Sequence, residues 1–183
     1  SKFEEPMTTH ADHYATNYAY GAAAYGKGAV FLGQLGYIIS DSLLRLTLLN
    51  YYNTWKFKHP NPNDFIRIAE KTSGIELDWY KEYWVGTTKT IDYAIDSLWM
   101  NEAGTHLRIE RKGEMPMPVD VTITFKDSTK EHHYIPLNLM YGKKPAEDAV
   151  ATMIYPAQRW THREMVVTSK RLLTEIVRIE IDA

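Results

Sequence analysis

Val119-Asp120-Val121-Thr122-Ile123-Thr124-Phe125 alternates apolar and polar side chains without a break. Successive side chains of an extended chain point to opposite faces, so a period of two predicts a strand with one face buried and one wet. Leu107 and Ile109 alternate likewise between His106, Arg108 and Glu110. Further strands are read over 91–99, 133–136, 165–168 and 175–181, and Asp127-Ser128-Thr129 is a polar turn between two of them.

Toward the N-terminus the period lengthens. Ala24, Gly28, Phe31, Leu35 and Ile38 recur at intervals of three and four, which predicts a helix over 23–39 with those residues on its buried face. Ser40 and Asp41 offer oxygens to cap a second helix, on which Leu44, Leu48, Tyr52 and Trp55 align before an end near Lys58. Asn63 is read as the cap of a third helix over 64–72, with Gly74 just past its end. Leu77, Tyr80 and Trp84 mark a short fourth helix that stops at Gly86. Helices followed by antiparallel strands predict an α+β protein, with a helical part over 1–88 and an antiparallel β-sandwich over 89–183. Within the sheet part, 142–149 reads as an exposed loop and Lys143-Lys144 as solvated charge.

The chain has 183 residues, 44% of them apolar and 24% charged, which suits a packed core. Its formal charge of -2, with both signs interleaved, gives no electrostatic reason to expect nucleic acid or an anionic membrane as partner. The apolar stretches are broken well short of the ~20 residues that a bilayer crossing needs. With no cysteine, disulfides and thiolate metal sites are excluded. The chain opens without Met and stops in a strand-like run, which reads as a stretch cut from a longer protein.

Hydrolytic zinc needs histidine and carboxylate ligands on a fixed scaffold, commonly as H-E-x-x-H, and that motif is missing. His10 and His13 stand at i, i+3 in a tyrosine-rich segment read as irregular. His132 and His133 are strand neighbours, which point to opposite faces and cannot share an ion. No metal ligands are therefore assigned. The G-x-S-x-G elbow and the S-x-x-K spacing are absent too, and the glycines of 21–28 lack the phosphate-loop spacing.

The segment Asn17-Tyr18-Ala19-Tyr20-Gly21-Ala22-Ala23-Ala24-Tyr25-Gly26-Lys27-Gly28-Ala29-Val30 is more specific. It resembles the Tyr-x-Lys-Gly-Ala region of the aminopeptidase N family of zinc enzymes, which includes the leukotriene hydrolase type. Gly26 stands where that family usually has Glu. The resemblance continues through Trp55 to Pro60, Asn63-Asp64-Phe65, Glu70, Ser73 to Trp79 and Trp84, and covers about half the chain. It implies the helical end of a thermolysin-like catalytic domain followed by a small β-sandwich. It further implies a parent enzyme that releases N-terminal residues from peptide substrates, with zinc polarising the scissile carbonyl. Tyr25 maps onto the tyrosine that donates to the developing oxyanion, and Tyr20 onto one lining the substrate pocket. Zinc ligands and general base would lie in the rest of the parent chain, so this chain alone would hold no zinc and be inactive. A rival reading makes the aromatic-rich sheet half a non-catalytic module that recognises peptide or glycan.

Overall fold

The computed structural model describes residues 4–145 and 152–182, so the 146–149 part of the expected loop lies outside the described residues, as do both chain ends. The chain is 39% helical and 28% strand, an α+β protein. It divides into two compact units, Ser1–Lys89 with Met140–Pro145 and Thr90–Leu139 with Ala146–Ala183. Among the described residues no helix is long and apolar enough to cross a membrane.

In the helical unit, α1 (Asn17–Gly21) starts where the Thr16 side chain accepts from Ala19 N, and it runs through a π-helical turn, Ala22–Lys27, into α2 (Gly28–Ile39). The helix thus begins six residues before the period of 23–39 announces it. The π-turn's wider i→i+5 winding also changes which residues face inward. Ala19, Ala23 and Leu35 are buried, whereas Ala24, expected inside, is exposed. Ser40 then caps α3 (Asp41–Trp55), its side chain accepting from Leu43 N. Its φ of 84° puts a serine where glycine is at home, a strain tolerated at this buried corner.

The inward face of α3 differs from the expected one. Thr47 is buried and Leu44, Tyr51 and Trp55 are half-buried, while Leu48 and Tyr52 are exposed. Tyr51 meets Phe65 edge to face at 5.1 Å, which fixes the side α3 turns to its neighbour α4 (Pro62–Ser73). Asn61, two residues before the expected cap, starts α4 with a capping box: its side chain accepts from Asp64 N, and Asp64 accepts from Asn61 N. Pro62 suits this arrangement because the first helical residue needs no N–H. Gly74 ends the helix in the left-handed conformation at φ 70°. On α5 (Asp78–Gly86), Tyr80 is fully buried, stacks on Phe31 at 5.0 Å and donates to Phe31 O at 2.7 Å.

The sheet unit holds β1 (Tyr93–Asn101), β2 (Gly104–Arg111), β3 (Val119–Phe125), β4 (Lys130–Ile135), β5 (Thr152–Ile154), β6 (Glu164–Ser169) and β7 (Ile176–Asp182). These form a sheet of order β1-β2-β6 and another of order β5-β4-β3-β7. In β3 every apolar residue from Val119 to Phe125 is buried and every polar one half-buried, as the alternation requires. Leu107 and Ile109 of β2 and Met165 and Val167 of β6 join the inner residues of β3 in one core.

Two features depart from the sequence reading. Strand β5 was not foreseen, and it pairs with β4 in parallel, so the second sheet is mixed. A parallel neighbour requires a long crossover, here the residues between Ile135 and Thr152. Part of that crossover, Met140–Pro145, belongs to the helical unit: Glu76 N donates to Met140 O at 2.9 Å. Lys144 is accordingly half-buried, with its ammonium 4.4 Å from the Tyr37 ring centroid, whereas Lys143 is exposed as expected.

Candidate functional site

The π-turn carries Tyr25 and places it beside Tyr20, five residues earlier. Their rings meet edge to face at 6.0 Å, and Tyr14 meets Tyr20 in the same manner at 5.4 Å. Single π-turns inside helices are rare and concentrate at functional sites. Tyr25 is 71% exposed and Tyr20 37%, so both phenols are open to a ligand. A hydrogen bond with Tyr25, followed by the proximity of that second phenol, raises the pKa of Tyr20 above the ordinary phenol value. The Tyr20 hydroxyl therefore keeps its proton at neutral pH.

Tyr14, which sequence reading did not single out, supports this pair. Its hydroxyl donates to Pro6 O at 3.2 Å, and Glu5 accepts from Ala15 N, so the segment before α1 is tied back on itself. Lys27, the motif's lysine, is a structural cation. Its ammonium donates to Thr87 O at 2.8 Å, lies 3.4 Å from Glu4 and sits 5.9 Å from the Trp84 ring centroid. It fastens the end of the π-turn to the residue after α5.

His10 and His13 lie on a 3-10 turn rather than in irregular chain, with ring centroids 5.3 Å apart. His10 Nδ1 accepts from Asp12 N, so one imidazole nitrogen is already engaged. His132 and His133 separate as strand neighbours do. His132 bonds Thr122 across β3, while His133 is fully buried on the core side.

There His133 lies between Glu131 and Tyr155. Its Nε2 is 3.4 Å from a Glu131 carboxylate oxygen, and its Nδ1 is 3.1 Å from the Tyr155 hydroxyl. A proton on Nε2 leaves Nδ1 free to accept from the Tyr155 hydroxyl and avoids setting a bare nitrogen against the carboxylate, although Nε2 and the Glu131 oxygen are buried without an aligned hydrogen bond. Burial lowers the pKa of His133, and Glu131 opposes that shift. The Tyr155 hydroxyl also accepts from Thr168 N at 2.9 Å, linking β4 to β6 through the core.

Among the described residues one acidic group, Glu70, Glu76 and Asp78, places three carboxylates within 4.8 Å of one another. Glu70 accepts from Leu77 N and Glu76 from Asp78 N, so both cap the approach to α5. Burial, partly offset by the Leu77 bond, raises the pKa of Glu70, and Glu76 and Asp78 raise it further. Three carboxylates without an imidazole do not match the ligand preference of zinc, and the group lies outside the tyrosine pair. A groove of about 330 Å³ on the helical unit, lined by Thr8, Asn61, Lys81 and Val85 among others, includes neither Tyr20 nor Tyr25. No family model matches this chain, and no curated protein matches it.

Proposed function

We propose that this chain is part of a zinc aminopeptidase in which Tyr25 serves as a hydrogen-bond donor to the oxyanion formed when water attacks the peptide carbonyl. In this reading the helical unit is the end of a thermolysin-like catalytic domain and the sheet unit is the β-sandwich after it. The observation that carries it is the exposed Tyr25 phenol, set on a π-turn within hydrogen-bonding reach of Tyr20.

A phenol suits this task. It donates without first having to be charged, and its ring is held by the helix so that little reorganisation accompanies the reaction. Tyr20, bonded to Tyr25, restricts where that hydroxyl points and presents its own ring to the substrate's side chain. The zinc ligands belong to the rest of the parent chain, since the one acidic group described here does not fit zinc.

In the full-length enzyme, Tyr25→Phe keeps the ring and removes the hydroxyl. Loss of an oxyanion donor is expected to raise the barrier by about 2.7–4 kcal/mol, or roughly 100- to 1,000-fold in kcat, with KM little changed. Steady-state kinetics on an aminoacyl amide measures both. Full turnover by Tyr25→Phe, or a parent reading frame without H-E-x-x-H and a later Glu upstream of this stretch, would defeat the reading. Tyr20→Phe is expected to alter substrate preference more than turnover.

A further inference from the structure

Strand β6 is an edge strand of its sheet, and its backbone shows which groups face outward. In antiparallel pairing, successive residues turn their N–H and C=O alternately toward and away from the partner strand. Arg163 O accepts from Arg111 N at 2.7 Å, so the odd-numbered residues turn toward β2. Glu164, Val166 and Thr168 therefore turn theirs to the free edge.

Side chains already cover part of this edge at two of these three residues. The Tyr155 hydroxyl accepts from Thr168 N at 2.9 Å and lies 3.3 Å from Thr168 O, and Gln158 Nε2 donates to Glu164 O at 2.9 Å. Among the described residues, Val166 between them has no such cap. Its N–H and C=O open on a groove of about 510 Å³ lined by Tyr155, Gln158, Arg159, His162, Met165 and Val166. Exposed edge groups are a template for another strand unless they are covered, and here covering is weakest at the centre of the edge, on Val166.

The opposite wall is built rather than loose. Gln158 N donates to Pro136 O at 2.7 Å, Asn138 N donates to Gln158 O at 2.9 Å, and Trp160 N donates to the Asn138 side chain at 3.0 Å. Arg159, on this wall, has no carboxylate partner among the described residues. Glu164 also lines the groove, but Arg159 and His162 leave the wall facing it with basic side chains. Val166, 42% exposed, adds apolar surface.

We propose that the free edge of β6 binds an extended peptide segment bearing a carboxylate, paired through Val166 N–H and C=O with its acid facing Arg159. Main-chain pairing supplies the register, and the guanidinium supplies the choice of side chain. This site is independent of the aminopeptidase reading and of both tyrosines of the π-turn.

Fluorescence anisotropy tests it on the whole 183-residue chain, with fluorescein-labelled Thr-Val-Asp-Val-Thr-amide as probe. The same peptide with Lys in place of Asp is expected to bind about tenfold more weakly, the effect of losing one charge-assisted contact. N-methylation of the probe's pairing edge is expected to abolish binding, while N-methylation of the other edge leaves it intact. Arg159→Glu is expected to reverse the Asp-over-Lys preference. Val166→Pro removes the open donor without removing a ladder bond, a substitution that edge strands accept, and is expected to abolish binding with the circular dichroism spectrum unchanged. Equal affinity for the Asp and Lys peptides, indifference to N-methylation, or no binding at millimolar peptide would each overturn the proposal. If Val166→Pro fails to fold, the N-methylated probes decide alone.

Discussion

Tyr25 leaves 71% of itself exposed on a π-turn, whereas Tyr155 commits its hydroxyl to a fully buried histidine and to the backbone of Thr168. Both are phenols that act as hydrogen-bonding groups, yet burial sends their contributions to different places. An exposed phenol costs little to keep and can meet a ligand. A phenol that satisfies buried polar groups holds the fold together, because those groups have no water to turn to if it is lost. Tyr25 thus turns its polar chemistry outward, whereas Tyr155, like the buried Tyr80 of the helical unit, spends its hydroxyl on the fold.

Truncating the sheet core tests the frame in which the buried network sits. Phe125 is nearly fully buried and has the Arg171 guanidinium 4.0 Å from its ring centroid. Phe125→Ala is expected to destabilise the sheet unit by about 3–5 kcal/mol in a urea melt, through lost burial and a cavity. A loss under 1 kcal/mol would mean that this core is far looser than its packing. Next, Tyr155→Phe should cost roughly 1–3 kcal/mol, since it strands Thr168 N–H and deprives His133 of a partner. A neutral outcome would place water where the hydroxyl now sits.

The buried histidine makes the same comparison in terms of pH. Because burial lowers its folded-state pKa, the unfolded chain takes up the proton first as acid is added. His133's contribution is complete above the ordinary histidine value near 6.5 and is lost as pH falls through it toward the lower folded value, at up to about 1.4 kcal/mol per pH unit. Urea melts between pH 8 and 5 measure the slope, and His133→Gln should remove its share. A second acid-sensitive group lies well below that window: the hydrogen bond from Arg171 holds the Asp127 carboxyl well under its usual range. The smallest effect is expected at the exposed phenol. Tyr25→Phe should shift the stability of this chain by less than about 0.5 kcal/mol, and a larger loss would make Tyr25 a packing residue.

How much of this was legible depended on how many solutions each pattern allowed. In β3 the alternation leaves one choice of face, and the structure buries the residues it selects. Gly74 was likewise readable, since few residues but glycine take the left-handed turn after a helix. Helix α3 was ambiguous: with leucines at 43, 44, 46, 48 and 49, several faces are apolar, and packing against α2 and α4 selects the one with Thr47 inside. The π-turn escaped notice because periodicity assumes regular winding, so Ala24 and Ala23 exchanged places. Strand β5 is three residues long, too short to show alternation. Tyr20 and Tyr25 were singled out only through a resemblance, while Tyr14 and the cap on Thr168 depend on contacts between distant residues that no local pattern records.

The crossover from β4 to β5 has a consequence in time. Met140–Pro145 completes the helical unit, although Thr90–Leu139 of the other unit is made first. A ribosome adding about 5–20 residues per second releases this last piece some seconds after α5 has emerged. Until then Glu76 N–H lacks the carbonyl of Met140, and the Tyr37 ring lacks Lys144. The helical unit must therefore wait for synthesis of half its neighbour before it can finish, so the order in which the chain is made is not the order in which its parts mature.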